Sequence, residues 1–201
     1  LGFSLGLVLV TVAGAELFTG NNLLAMAWAG GRIGRGELLR NWAVVCSANF
    51  VGAAGLALLV WLAGHGALNH GEVGQTVVRI ATTKAQLPLA EAFFRGVLCN
   101  VLVCMAVWMA LAGRSVMDKF IAIVFPISAF VAAGFEHSIA NMYLLPLAEM
   151  LKAGAGQPVE FAWLWRNLVP VIAGNLVGGS ILVALVSYVI HLRGERTTSS
   201  L

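Results

Sequence analysis

The chain has 201 residues, 60% of them hydrophobic and 10% charged, where a soluble domain has about 45–50% apolar and about 25% charged residues. That composition excludes a soluble globular protein and indicates a multi-pass membrane protein, each span needing about 20 apolar residues. Twelve Lys and Arg against nine Asp and Glu leave a formal charge of +3 scattered over short loops, so nucleic-acid binding has no support.

Five apolar stretches, 1–29, 41–63, 89–112, 118–150 and 167–192, alternate with loops that carry most of the charge. Stretch 1–29 reads as a span and not as a cleaved leader, because it lacks a basic start and the polar cluster Glu16 to Asn22 interrupts it. Cys46, Cys99 and Cys104 lie inside apolar runs with no metal-binding or paired spacing, so neither a disulfide nor a metal site is expected. Loops 30–40 and 113–119 and the tail after 192 hold Arg32, Arg35, Arg40, Arg114, Lys119, Arg193 and Arg196. The other loops hold Arg79, Lys84, Lys152 and Arg166, with Arg95 inside a helix. The excess places the first group, and with it the C-terminus, in the cytoplasm.

Two patterns recur along the chain. Gly14-Ala-Glu-Leu-Phe-Thr-Gly-Asn21 and Gly134-Phe-Glu-His-Ser-Ile-Ala-Asn141 both fit G-x-E-x(4)-N, at an offset of 120 residues. Arg40, Asn41, Val45, Asn49, Val51 and Gly52 match Arg166, Asn167, Val171, Asn175, Val177 and Gly178 at an offset of 126. Arg40 and Arg166 fall on opposite sides of the membrane, so the halves form an inverted repeat, which needs an odd number of spans in each. Repeat two, 89–192, supplies three spans, whereas 1–63 supplies counterparts of only the last two. The arithmetic predicts that a first helix is missing ahead of residue 1, from what is otherwise a single transmembrane channel domain over 1–201.

Polar residues at bilayer depth are costly and mark pathways by default. Gly14, Gly20 and Gly134 allow unwound backbone, which is tolerated at that depth only where it is buried or lines a cavity, and two facing interruptions suggest a pore. Glu16 and Glu136 are read as structural, tying free amides of the broken backbone, since a bare charge in a conduction path would repel anions. Asn21 and Asn141 close the same motifs. His137, the one interior histidine, either packs or touches substrate, and it is the group here that titrates near neutral pH. Thr19 could donate to an oxyanion or cap a helix; Asn100 could hold His137 or join two helices. Lys84, in the loop before a span, could attract anions or simply be solvated. Phe3, Leu7, Leu17, Phe18 and Phe130 could form constrictions or ordinary packing. Gly2 with Gly6 and Gly174 with Gly178 have the spacing of close helix contacts.

Through Ala15-Glu-Leu-Phe-Thr-Gly20, Leu98-Cys-Asn-Val-Leu-Val-Cys104, Asp118-Lys119 and Gly134-Phe-Glu-His-Ser-Ile-Ala-Asn-Met142, the chain resembles the formate/nitrite transporters over essentially its whole length. The resemblance implies an all-α, aquaporin-like protomer with three helices in each inverted repeat and two of the helices broken. It also implies a homopentamer with one substrate pore per protomer, and the absence of the first helix from this chain. Carried over, Leu17, Phe18 and Thr19 match the loop of the first broken helix, and Phe3, Leu7 and Phe130 match constriction residues. His137 matches the central pore histidine, Asn100 its hydrogen-bond partner and Lys84 a vestibule lysine.

The function expected from this is a passive, pH-dependent channel in the inner membrane for small monovalent weak-acid anions, formate first, with nitrite or hydrosulfide as the alternative. No cofactor is expected. A water or glycerol channel is disfavoured because neither interruption carries Asn-Pro-Ala. An enzyme is disfavoured because no metal set, nucleophile with base, or phosphate loop occurs.

Overall fold

The computed structural model describes residues 2–192, and these are helical with no strand among them. Arg193 and Arg196, on which part of the charge asymmetry and the placement of the C-terminus rest, lie outside the described residues. The first apolar stretch is bent. Helix α1 (Gly2–Ala13) stops at Gly14, and after an extended step the chain resumes as α2 (Phe18–Asn21) and α3 (Leu24–Ala29), turned by 63°. Then come α4 (Arg35–Leu62), α5 (Glu72–Ala85), α6 (Leu89–Ala112), α7 (Val116–Ala132), α8 (Ser138–Gly154) and α9 (Phe161–Leu176), which continues as π-helical turns over Val177–Leu185 and Tyr188–Leu192.

The two interruptions are built alike. Gly14 and Gly134 have φ of +71° and +68°, a region that costs glycine nothing and other residues strain. One residue later, Ala15 N–H returns to the Val10 carbonyl at 2.9 Å and Phe135 N–H to the Phe130 carbonyl at 3.1 Å, the closure that ends helices at a left-handed glycine. The stretch 118–150 is accordingly divided into α7 and α8, of 17 residues each. At its start Ser115 accepts the Asp118 N–H at 3.1 Å while Asp118 accepts the Ser115 N–H at 3.0 Å, a reciprocal cap that fixes where the helix begins.

Segment 64–88, expected to be a loop, contains an amphipathic helix instead. In α5 Ala81 and Ala85 lie on one side with Val77 and Val78 and pack with Met142, Leu145 and Leu168 of α8 and α9, while the buried Gly74 lies against Gly66. A second apolar cluster joins α1, α6 and α7 through Leu7, Val103, Ile123, Ile127 and Phe130. Gly66 lies against Leu151 and Gly154 against Trp61, so the ends of α4 and α8 share one end of the molecule, in keeping with the loop assignment above.

Helices α6 and α9 approach backbone to backbone. A Cβ placed at Gly174 would collide with the Phe93 carbonyl, and one at Gly178 with the Val97 carbonyl. Gly6, by contrast, has nothing within 4 Å and makes no such contact. Gly174→Ala is therefore expected to lower stability by about 1–3 kcal/mol through overpacking, although alanine in a helix interior is favoured by about 1 kcal/mol otherwise. Thermal unfolding of the purified variant in detergent reads the sign.

Along α4 only 11% of the apolar stretch is buried, against 44% for α6 and for 161–191. Most of the surface of α4, including Leu39, Val44, Val51 and Leu62, is left for lipid or for neighbouring protein.

Candidate functional site

The two extended steps, 15–17 and 135–137, are held by matching side-chain bonds. Asn141 donates to Glu136 at 2.6 Å and to the Asn167 side-chain oxygen at 2.7 Å. Asn21 donates to Glu16 and, at 2.9 Å, to the Asn41 side-chain oxygen. Each glutamate thus holds the asparagine side chain in the first turn of the half-helix that follows it, whereas the expectation was of bonds to free backbone amides. The electrostatics of the two halves differ. Glu136 is 2% exposed and bonded to Lys84 at 2.7 Å, whereas Glu16 is exposed.

Lys84 is therefore not a free vestibule cation on a loop. It occupies the last turn of α5, its ammonium is engaged by Glu136, and its carbonyl accepts the Asn167 amide at 2.9 Å.

His137 is the residue at the N-terminal cap of α8, and its Nδ1 accepts the Ala140 N–H at 3.2 Å. A ring nitrogen that accepts carries no proton, so the neutral ring bears its proton on Nε2. Nε2 lies 3.2 Å from Thr19 Oγ1. The imidazole then donates to the hydroxyl, which leaves the threonine proton free for another acceptor. Phe130 stacks on the ring at 5.7 Å between centroids, and Phe3 meets it edge-on at 5.5 Å. One contact thus joins the two broken helices, and Phe3 and Phe130, whose ring centroids are 5.3 Å apart, pack against each other as well as against the imidazole.

Asn100 makes no hydrogen bond to His137, contrary to the partnership carried over from the family. Its amide goes to the Thr19 carbonyl at 3.2 Å and the Asn175 carbonyl at 2.7 Å, and its own Oδ1 is buried without a partner. Cys104 also donates to the Thr19 carbonyl, at 3.3 Å. Gly179 makes this convergence possible, since a Cβ there would strike the Asn100 amide, Asn22 and Cys104.

A cavity of about 630 Å³ reaches His137, with Phe3, Leu7 and Leu17 among its walls. Phe18, Phe130, Thr19, Asn100 and Lys84 do not line it, and Phe18 and Thr19 are buried at 2% and 0%. Among the described residues no cluster of three or more His, Cys, Asp or Glu side chains is placed to hold a metal ion. Asn41, Asn49, Asn167 and Asn175 belong to the site although they were not singled out as site residues. The signal was present, because all four recur in the 126-residue pattern.

An apolar helical protein with two glycine-broken helices meeting at a buried His–Thr contact has the makings of a membrane channel. A model of the formate/nitrite transporter family matches residues 1–189, and the chain belongs to that family. It is 42% identical over 206 residues to the formate channel FocA of Escherichia coli K12, covering 95% of this chain and 72% of that one. A solved pentameric formate channel with formate bound superposes with a TM-score of 0.83 at 36% identity, covering 94% of this chain and 80% of that one. A solved FNT family ion channel does so at 0.82 and 33%, with 93% and 74% covered. The protein is thus a multi-pass membrane channel of the formate/nitrite type and not an enzyme.

Proposed function

We propose that the protein is a passive, pH-sensitive channel for small monovalent weak-acid anions, with formate as its first substrate, working as a homopentamer in the inner membrane with its C-terminus in the cytoplasm. The domain unit is the whole of 1–201. The observation that carries the reading is the contact between His137 Nε2 and Thr19 Oγ1 across the two broken helices. Stripping a bare anion of water costs tens of kcal/mol in the Born limit, whereas a neutral acid costs far less. At the crossing an anion would meet the free threonine proton, and the imidazole N–H once that leaves the hydroxyl.

For the ring to give up its Nε2 proton it first takes one from solvent water on Nδ1, which breaks the bond from Ala140; after the transfer the Nδ1 proton moves to Nε2 by exchange with water and the bond from Ala140 re-forms. The opposite charge of an anion held against Nε2 supplies the compensation in a low-dielectric setting. The acid formed there passes Phe3, Leu7, Leu17, Phe18 and Phe130 without a net charge. Support for formate over other anions comes from the similarity to formate channels. The test compares uptake of formate, nitrite and chloride into proteoliposomes at pH 5.5 and 7.5 against empty vesicles. Formate uptake above nitrite, with chloride near the empty-vesicle level, is the expected result. Nitrite uptake equal to or above formate reassigns the substrate, and chloride uptake matching formate sinks the neutral-crossing mechanism.

A further inference from the structure

Asn175 is wholly buried, and each of its side-chain polar groups is used. Its amide donates to the Gly96 carbonyl at 2.8 Å and to the Glu136 carbonyl at 3.1 Å, while its Oδ1 accepts the Ser138 N–H at 2.9 Å. Glu136 and Ser138 are the chain neighbours of His137, so one side chain grips the backbone before and after the imidazole-bearing residue. Its main-chain carbonyl accepts Asn100 at 2.7 Å and Asn22 at 3.2 Å, and Asn100 also holds the Thr19 carbonyl. Both members of the His137–Thr19 contact are therefore tied to this residue.

Asn49 repeats the arrangement in the other half. Its amide donates to the Glu16 carbonyl at 3.2 Å and its Oδ1 accepts the Phe18 N–H at 2.9 Å, so it grips the backbone on both sides of Leu17. Packing alone gives no reason for an amide at either place, since a buried amide costs free energy unless it is bonded. A residue that must donate to one peptide and accept from the next needs both functions on one short planar group, which asparagine has and aspartate or leucine lacks.

We propose that Asn175 is a positioning residue that sets the distance between His137 and Thr19, acting through the peptides flanking His137 and through Asn100, and that Asn49 fixes Leu17 in the same way. The proposal rests on the channel reading above for what His137 does, but not for where it is held. Loss of Asn175 then acts through the imidazole, and loss of Asn49 acts through an apolar wall.

The first measurement is the rate at which diethyl pyrocarbonate modifies His137, read by mass spectrometry on the purified protein and independent of transport. Asn175→Ala is expected to raise that rate at least about fivefold, as the ring leaves its two hydrogen bonds, whereas Asn49→Ala leaves it near the wild-type value. An unchanged rate in Asn175→Ala, or an equal rise in both variants, overturns the proposal. The second measurement is formate flux. Asn175→Ala is expected to lower it by about tenfold and to add less than about twofold when His137 is already alanine. Full additivity overturns the proposal. Asn175→Asp serves if the alanine variant does not assemble, because it keeps the acceptor for Ser138 while its carboxylate cannot donate to Gly96 and Glu136. The same two measurements decide it. Wild-type protein with no formate flux, together with a raised modification rate in the variant, removes the channel reading and leaves the positioning role in place.

Discussion

His137→Ala is expected to keep the helices assembled while lowering formate flux at neutral pH by about a hundredfold, at the lower end of what a positioned acid group supplies elsewhere. The variant loses the donor to Thr19 and the group that can take a proton beside Phe3 and Phe130. Its flux against pH should lose the inflection that an imidazole produces. His137→Asn separates the two contributions, because an amide can still donate to Thr19 but does not titrate. That variant should recover part of the flux and none of the inflection. A wild-type pH profile in His137→Ala would rule out proton donation by this ring.

Lys84→Ala is expected to destabilise the protein by about 3–5 kcal/mol, the usual consequence of stranding a buried partner charge. Glu136 is 2% exposed and the ammonium lies 2.7 Å from it with 21% of the lysine side chain accessible. Removing the lysine leaves the carboxylate with amide donors from Asn141 and Asn167 only. Two readings of this lysine make different predictions. A free vestibule cation would, when removed, lower anion flux chiefly at low ionic strength, because exposed charges are screened within a Debye length. A paired one changes thermal stability at any salt, and Glu136→Gln in the same chain restores much of it. The paired geometry favours the second outcome, to be read as the unfolding midpoint of both variants at two salt concentrations.

The backbone plan could be read from residue identities because the same structural problem is solved twice. Glycine at 14 and 134, glutamate two positions on and asparagine five beyond that announce two broken helices before any coordinate is known. The partners of those residues were less accessible. The residues alone leave Asn100 either holding the imidazole or joining two helices, and only the family resemblance chooses the first, since nothing in the spacing shows that its amide points at main-chain carbonyls of Thr19 and Asn175. Those carbonyls are invisible in a sequence, being present at every position. Lys84 reads as a loop residue because segment 64–88 lies between the apolar stretches 41–63 and 89–112. Its helical signal, small and apolar residues at 74, 77, 78, 81 and 85, is the periodicity of a short surface helix and not of a span. Nor does a count of apolar residues tell Phe130, stacked on the imidazole, from Phe125, which is 72% exposed.

The 120-residue correspondence pairs Leu17 with His137 and Thr19 with Ile139. The scaffold is duplicated while the chemistry on it is divided, with imidazole from one arm and hydroxyl from the other. Two histidines at the paired positions would place two rings at one crossing, where the second cation would be repelled by the first. With leucine at 17, the crossing in each protomer holds one titrating group. On the proposed mechanism the proton-to-anion stoichiometry is capped at one per passage, and each subunit counts its cargo singly.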